Sequence, residues 1–125
     1  MNIAMHIPPS RPVVLCLSGH DPSGGAGLQA DIEALLAQGC HAAPTVTALT
    51  VQDTANVRDF RVLDRDWVLA QAQTVIADVP IAAVKLGMLG SVAMVETVIE
   101  IMQLLPGTPL VCDPTDDILQ APQRF

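Results

Sequence analysis

Val13-Val14-Leu15-Cys16-Leu17 runs directly into Ser18-Gly19-His20-Asp21-Pro22-Ser23-Gly24-Gly25-Ala26-Gly27, and Leu28-Gln29-Ala30-Asp31-Ile32-Glu33-Ala34-Leu35-Leu36 follows. The short apolar β-branched run predicts a buried strand. The cluster of Ser, Gly, Asp and Pro after Leu17 predicts a turn. Leu28, Ile32, Leu35 and Leu36 fall at i, i+4, i+7 and i+8, the spacing of one helix face. Gly39 stands where a C′ glycine would end that helix. Strand, glycine-rich turn and helix together form the repeating unit of an open α/β sheet. In such sheets ligands sit beyond the carboxyl ends of the strands.

The rest of the chain continues the alternation. Pro44–Val51 carries Val46, Thr47, Leu49, Thr50 and Val51 and favours a strand. Val57–Leu63 alternates apolar and charged residues as a half-exposed strand does. Asp64 is placed to cap a helix over Trp67–Ala77, with Val68, Ala72, Val75 and Ile76 as its inner face. Ile81–Leu86 is a strand, and Ser91 caps a helix whose stripe is Val95, Val98, Ile99 and Met102. Pro109–Cys112 is a last short strand ending at Asp113-Pro114. Strands apolar on both faces, alternating with helices, predict a mostly parallel sheet flanked by helices.

Composition removes several function classes. The chain has 125 residues, which at about 100–200 residues per domain is one domain at most. Half the residues are apolar, 15% are charged and mean hydropathy is +0.43, the opposite of a disordered tail. Six Lys and Arg against thirteen Asp and Glu give a net charge of −7. The basic residues are scattered, so no patch for nucleic acid is expected. Phe60, Trp67 and Phe125 are too few for base stacking and leave an aliphatic core. Cys16, Cys40 and Cys112 form no zinc or redox spacing and read as free thiols of a reducing compartment. His6 and His41 have no partners at ligand spacing, so no metal site is assigned to this set.

The start of the chain, broken by Pro8, Pro9 and Pro12, does not read as a leader. The longest uncharged stretch, Ala34–Gln52, contains Gln38, Gly39, His41, Pro44 and three threonines and does not read as a membrane span. A cytoplasmic protein without membrane partners is expected.

The glycine-rich turn admits two familiar readings. A phosphate-cradling Walker loop ends in Gly-Lys-Ser/Thr, whereas this one has Gly-Gly-Ala and no lysine. Gly25-Ala26-Gly27-Leu28-Gln29-Ala30 formally fits a dinucleotide fingerprint. That fingerprint, however, needs its first glycine at the tight strand turn, six residues earlier at Gly19. A Rossmann-type nucleotide domain is therefore a weak alternative.

Ser18–Asp31 as a whole closely resembles the first substrate loop of bacterial hydroxymethylpyrimidine/phosphomethylpyrimidine kinases, thiamine-pathway members of the ribokinase-like superfamily. The resemblance continues through Thr47-Ala48-Leu49-Thr50-Val51-Gln52-Asp53-Thr54 and Lys85-Leu86-Gly87-Met88-Leu89-Gly90. It covers roughly residues 12–114, with the motifs in the family's order and spacing. It implies the N-terminal, substrate-binding portion of a single ribokinase-like α/β domain, incomplete at the C-terminus, with 115–125 as a divergent tail.

The resemblance also implies roles. Gly19 would set its backbone against the pyrimidine ring, where a side chain would intrude. Ala26 and Thr50 would line the pocket through small size and backbone groups. Asp31 would hydrogen-bond the substrate's polar edge, or else is an exposed acid favoured by the helix dipole. Gln52 offers a donor and an acceptor, as an aminopyrimidine edge requires. Met88 would pack its thioether on the ring face, or fill the core. Asp113 would lie near the magnesium and phosphate region as the one catalytic candidate, or simply open a turn before Pro114. His20 either contacts the hydroxymethyl or phosphate region or is solvated. Lys85 reads as a snorkelling strand-end lysine.

The activity implied is ATP- and Mg2+-dependent phosphorylation of 4-amino-5-hydroxymethyl-2-methylpyrimidine and then of its monophosphate. Family members are considerably longer. Their later half supplies most of the ATP pocket, a second glycine-rich loop and the catalytic base. The isolated chain is therefore expected to be inactive as a kinase. A non-catalytic pyrimidine-binding or interaction fragment is the alternative. Strands and helices missing from the sheet would leave apolar surface, so self-association into a homo-oligomer is expected.

Overall fold

The computed structural model describes residues 7, 8, 10–87 and 89–112. Met88, Asp113, His6 and the tail 115–125 lie outside the described residues. The elements are β1 (Val13–His20), α1 (Gly27–Ala37), β2 (His41–Gln52), β3 (Val57–Val62), α2 (Arg65–Asp78), β4 (Ala83–Leu86), α3 (Val92–Gln103) and β5 (Leu110–Cys112). Their types and order are those the sequence predicts.

The sheet order is β3-β2-β1-β4-β5. β1 runs parallel to β2 and to β4, β4 runs parallel to β5, and only the β2–β3 hairpin is antiparallel. From β1 the chain steps outward to β2 on one side. From β4 it steps outward to β5 on the other. Right-handed crossovers in opposite directions place α1 and α3 on opposite faces.

The packing follows that rule. Leu28, Ile32 and Leu35 of α1 pack on Val14, Cys16 and Ala42. On the other face Val68 and Ala72 of α2, with Met94, Val98 and Ile101 of α3, cover Leu15, Leu17, Val84 and Leu86. Both layers are aliphatic, as the composition requires. β1 is thus buried on both faces and paired on both edges. That position brings its carboxyl end, beside that of β4, to the switch point of the sheet.

Several boundaries differ from the sequence expectation for tertiary reasons. β1 continues three residues beyond Leu17, because Gly19 and His20 still pair with Ala48 and Leu49 after a register shift. β2 begins at His41 and includes Pro44. β3 pairs β2 only from Ala48 to Gln52, so Pro44 sits on a flank that β3 does not pair. There the Gln71 side chain of α2 accepts from Val46 N–H and donates to Val46 C=O. A side chain thereby replaces the missing ladder partner.

Helix ends behave largely as read. Gly39, with φ +75, lets Gly39 N–H reach Leu36 C=O and Cys40 N–H reach Leu35 C=O, a Schellman closure. The Ser91 hydroxyl accepts from Met94 N–H. Asp64 stands at the start of α2, but its side chain makes no cap bond, which corrects that expectation. Trp67 and Val68 N–H bond to its carbonyl instead. The α3 stripe is also corrected. Met94, Thr97, Val98 and Ile101 face inward, while Val95 and Ile99 are exposed. α3 is apolar around most of its circumference, so periodicity alone does not select its inner face. β5 is exposed throughout.

Candidate functional site

The glycine-rich turn is organised by Asp21, a residue buried to 6% exposure. Its carboxylate accepts from Ser23 N–H at 2.8 Å, Ser23 Oγ at 2.7 Å and Gly25 N–H at 3.0 Å. Its carbonyl takes Gly24 N–H. A phosphate at this turn would need those same N–H groups, and it would meet a carboxylate of its own sign. The arrangement is a loop closed by an internal anion, unlike the open cradles of Walker and dinucleotide loops.

Burial alone would raise the Asp21 pKa; the donors from Ser23, Gly25 and Ala26 outweigh it and hold the group below its ordinary 3.8. A depressed carboxyl stabilises the fold fully above its unfolded value, and loses that contribution as pH falls through its folded value. Asp21→Ala is expected to lose about 2–3 kcal/mol near neutrality. The difference from the parent chain should shrink below about pH 4. Urea midpoints across the acid range check both parts.

Behind the turn, α1 grips the end of β1. Gly27 has φ +59, and a Cβ placed there would lie 2.2 Å from the Gly19 carbonyl oxygen. One helical turn later Asp31 accepts from Ser18 Oγ at 2.9 Å through Oδ2 and from Lys85 Nζ at 2.6 Å through Oδ1. The Asp31 side chain is 10% accessible and that of Lys85 21%. Lys85 therefore does not snorkel to solvent, which corrects the sequence reading. The carboxylate on α1 lies on the same face of the sheet and draws the ammonium inward. Cys16, opposite Lys85 in the ladder, has its thiol pushed up to about 12 by burial, with Asp31 adding to the shift and Lys85 opposing it. It is an unreactive core thiol.

A second chain of bonds converges on the same strand end. Gln52 Nε2 donates to Thr50 Oγ1 at 2.6 Å, and Thr50 Oγ1 donates to the His20 carbonyl at 2.7 Å. Thr50 and Gln52 are two apart on β2 and share a face. Gln52 is partly exposed, and its side-chain carbonyl makes no hydrogen bond among the described residues. Of the sequence candidates, Asp31 is thus linked to Ser18, and Thr50 and through it Gln52 to His20, on either side of Gly19. Ala26 immediately precedes the Gly27 contact. The His20 side chain is exposed. Among the described residues no three His, Cys, Asp or Glu side chains lie together as a cation site.

Sequence reading missed Asp21, Ser18 and Lys85 as organisers of this region. Asp21 carried a usable signal, since Asp-Pro-Ser-Gly is the pattern of an aspartate that bonds backbone two residues on. Lys85 carried a weaker one, a single charge inside an apolar strand.

A family model described as phosphomethylpyrimidine kinase matches residues 21–116. The hydroxymethylpyrimidine/phosphomethylpyrimidine kinase of Streptomyces coelicolor is 44% identical over 109 residues, covering 86% of this chain and 39% of its own length. Its counterpart in Mycobacterium tuberculosis is 41% identical over 117 residues, covering 91% and 42%. Among solved structures, phosphomethylpyrimidine kinase from Clostridium difficile superposes with TM-score 0.78 at 34% identity, covering 83% of this chain and 45% of that one. A pyridoxal kinase from Bacillus subtilis, solved with ADP, superposes with TM-score 0.76 at 27% identity, covering 90% and 45%. The chain spans about two fifths of the length of these two curated kinases.

Proposed function

The chain belongs to the phosphomethylpyrimidine kinase family, and on that premise we propose that the carboxyl ends of β1 and β2 form the binding site for an aminopyrimidine alcohol. The ligand is 4-amino-5-hydroxymethyl-2-methylpyrimidine, or its monophosphate. The observation that carries this reading is the Gln52–Thr50–His20 relay, which fixes the Gln52 amide at the end of β1. With one N–H committed to Thr50, the amide keeps an acceptor and a second donor for the amino and ring-nitrogen edge. The Gly19 backbone backs the ring, Ala26 and Thr50 keep the walls small, Asp31 supports the polar side, and Met88, outside the described residues, is proposed to pack its thioether on the ring face.

Phosphoryl transfer from ATP with Mg2+ is the family activity, and for this chain it is a proposal. The described residues do not fit the nucleotide: the turn's N–H groups are held by Asp21, and no cation cluster is present among them. Asp113 is proposed to lie near the magnesium and phosphate region. No step is assigned to these groups. What the described residues carry is binding and orientation of the alcohol, on which transfer depends. The family match and the exposed apolar residues of α3 and β5 support the reading that 12–114 is the substrate-binding portion of a larger ribokinase-like domain.

Calorimetry with hydroxymethylpyrimidine tests the site. Gln52→Ala is expected to weaken binding at least about tenfold, the equivalent of one or two lost hydrogen bonds. Unchanged affinity would remove Gln52 from the site. Titration with pyridoxal, the ligand of a neighbouring structure from Staphylococcus aureus, serves as the second arm. Tighter binding of pyridoxal would reassign the ring specificity.

A further inference from the structure

We propose that Lys85 and Ser18 are positioning residues for the pyrimidine site, acting through the Asp31 carboxylate to fix the end of β1. The proposal rests on the aminopyrimidine reading above and specifies how its backbone wall is held.

Both Asp31 oxygens are committed inside the protein, one to Lys85 and one to Ser18. Gly27 and Asp31 are one helical turn apart, so one face of α1 presses on Gly19 and bonds to Ser18 at once. Lys85 comes from β4, across the switch point. Its ladder partner is Cys16, two residues before Ser18, which places all three side chains on the α1 face. Gly87 then backs directly on the Ser18 hydroxyl, since a Cβ there would be 2.3 Å from Ser18 Oγ. The serine is fully buried and has no room to turn away.

Three elements, α1, β1 and β4, are thereby pinned at one carboxylate, and the residue after Ser18 is Gly19. A buried ion pair adds little net stability, because desolvation of the two charges offsets their attraction. Its geometric consequence here is a fixed strand end at the position the ring is proposed to occupy. If Asp31 instead touched the ligand directly, Lys85 would matter far less than Asp31.

The test uses the full 125-residue chain with Lys85→Met, Asp31→Asn, the double variant and Ser18→Ala. Two readouts are followed: affinity for hydroxymethylpyrimidine by calorimetry, and amide hydrogen exchange. Lys85→Met is expected to weaken binding about tenfold or more, because it leaves a buried charge unpaired. The double variant removes both charges and should bind more tightly than either single variant.

Exchange should rise at Ser18–His20 in both single variants while α2 and α3 stay protected. Ser18→Ala keeps the ion pair and should raise exchange at Gly19 and His20, which preserves the test if a charge variant does not fold. Wild-type affinity in Lys85→Met, or a double variant no tighter than Asp31→Asn, would overturn the proposal. So would unchanged exchange at Ser18–His20. Absence of pyrimidine binding by the parent chain would sink the substrate reading instead, and the exchange data would then decide the clamp alone.

Discussion

Gly27→Ala is expected to be among the most damaging single-methyl additions to this chain, costing about 2–5 kcal/mol. Two penalties coincide there. The backbone at φ +59 lies in the left-handed region, where a side chain costs about 1–2 kcal/mol. The new Cβ would also lie 2.2 Å from the Gly19 carbonyl oxygen, and overpacking of this kind adds about 1–3 kcal/mol. The atom it meets is backbone, in a strand paired on both edges, so no side-chain rotation relieves it.

Gly39→Ala separates the two terms. Gly39 has φ +75 with nothing within 4 Å of its added Cβ, so only the conformational penalty of about 1–2 kcal/mol applies. Urea unfolding at equal m-value should give a clearly lower midpoint for Gly27→Ala than for Gly39→Ala. Only the Gly27 variant displaces Gly19, so only it should lose affinity for the pyrimidine. Equal midpoints would mean that α1 does not press on β1 as described.

This pair of glycines also shows what the sequence made legible. Gly39 was readable because a helix C-terminus is a local event, marked by the end of an apolar stripe. Gly27 was not separable from its neighbours Gly24 and Gly25, since its role depends on Gly19, eight residues away and across an element boundary. The same division runs through the fold. Element order and the aliphatic core follow from periodicity and composition. The inner face of α3 does not, because Val95 and Ile99 are as apolar as Met94 and Ile101, and only packing on the sheet chooses between them.

Motif resemblance singles out Gly19, Ala26, Asp31, Thr50, Gln52 and Met88 for the proposed site, and of these Asp31 bonds to Ser18, Thr50 to His20 and Gln52 to Thr50. It said nothing useful of Lys85. The Asp31–Lys85 bond spans 54 positions in the chain and exists only once β4 lies beside β1. Asp21 differs: its bonds to Ser23 and Gly25 are local, and Asp-Pro-Ser-Gly already carries their signal.

Gly87→Ala should act through the side chain it displaces rather than through its own backbone. Its Cβ would lie 2.3 Å from Ser18 Oγ, 3.1 Å from Ser18 Cβ and 3.4 Å from Lys85 Nζ. Ser18 is completely buried, so the hydroxyl must leave Asp31 or β4 must move away from β1. The overpacking costs about 1–3 kcal/mol, and loss of a hydrogen bond to a charged, mostly buried carboxylate adds about 1.5–3 kcal/mol. Adding Ser18→Gly removes both atoms that the new methyl meets first. It restores none of the hydrogen bond and weakens the strand by about 0.5–1 kcal/mol.

Ser18→Gly should therefore be destabilising in the parent chain and stabilising, or nearly neutral, beside Gly87→Ala. The coupling in the double-mutant cycle should be about 2.5–6 kcal/mol in favour of the pair, the relieved overpacking plus the hydrogen bond that either single change already loses. Additive losses would show that Gly87 and Ser18 do not share the space described. Favourable coupling would establish that a glycine is needed at the end of β4 because the β1 serine already occupies the volume in which a side chain would sit.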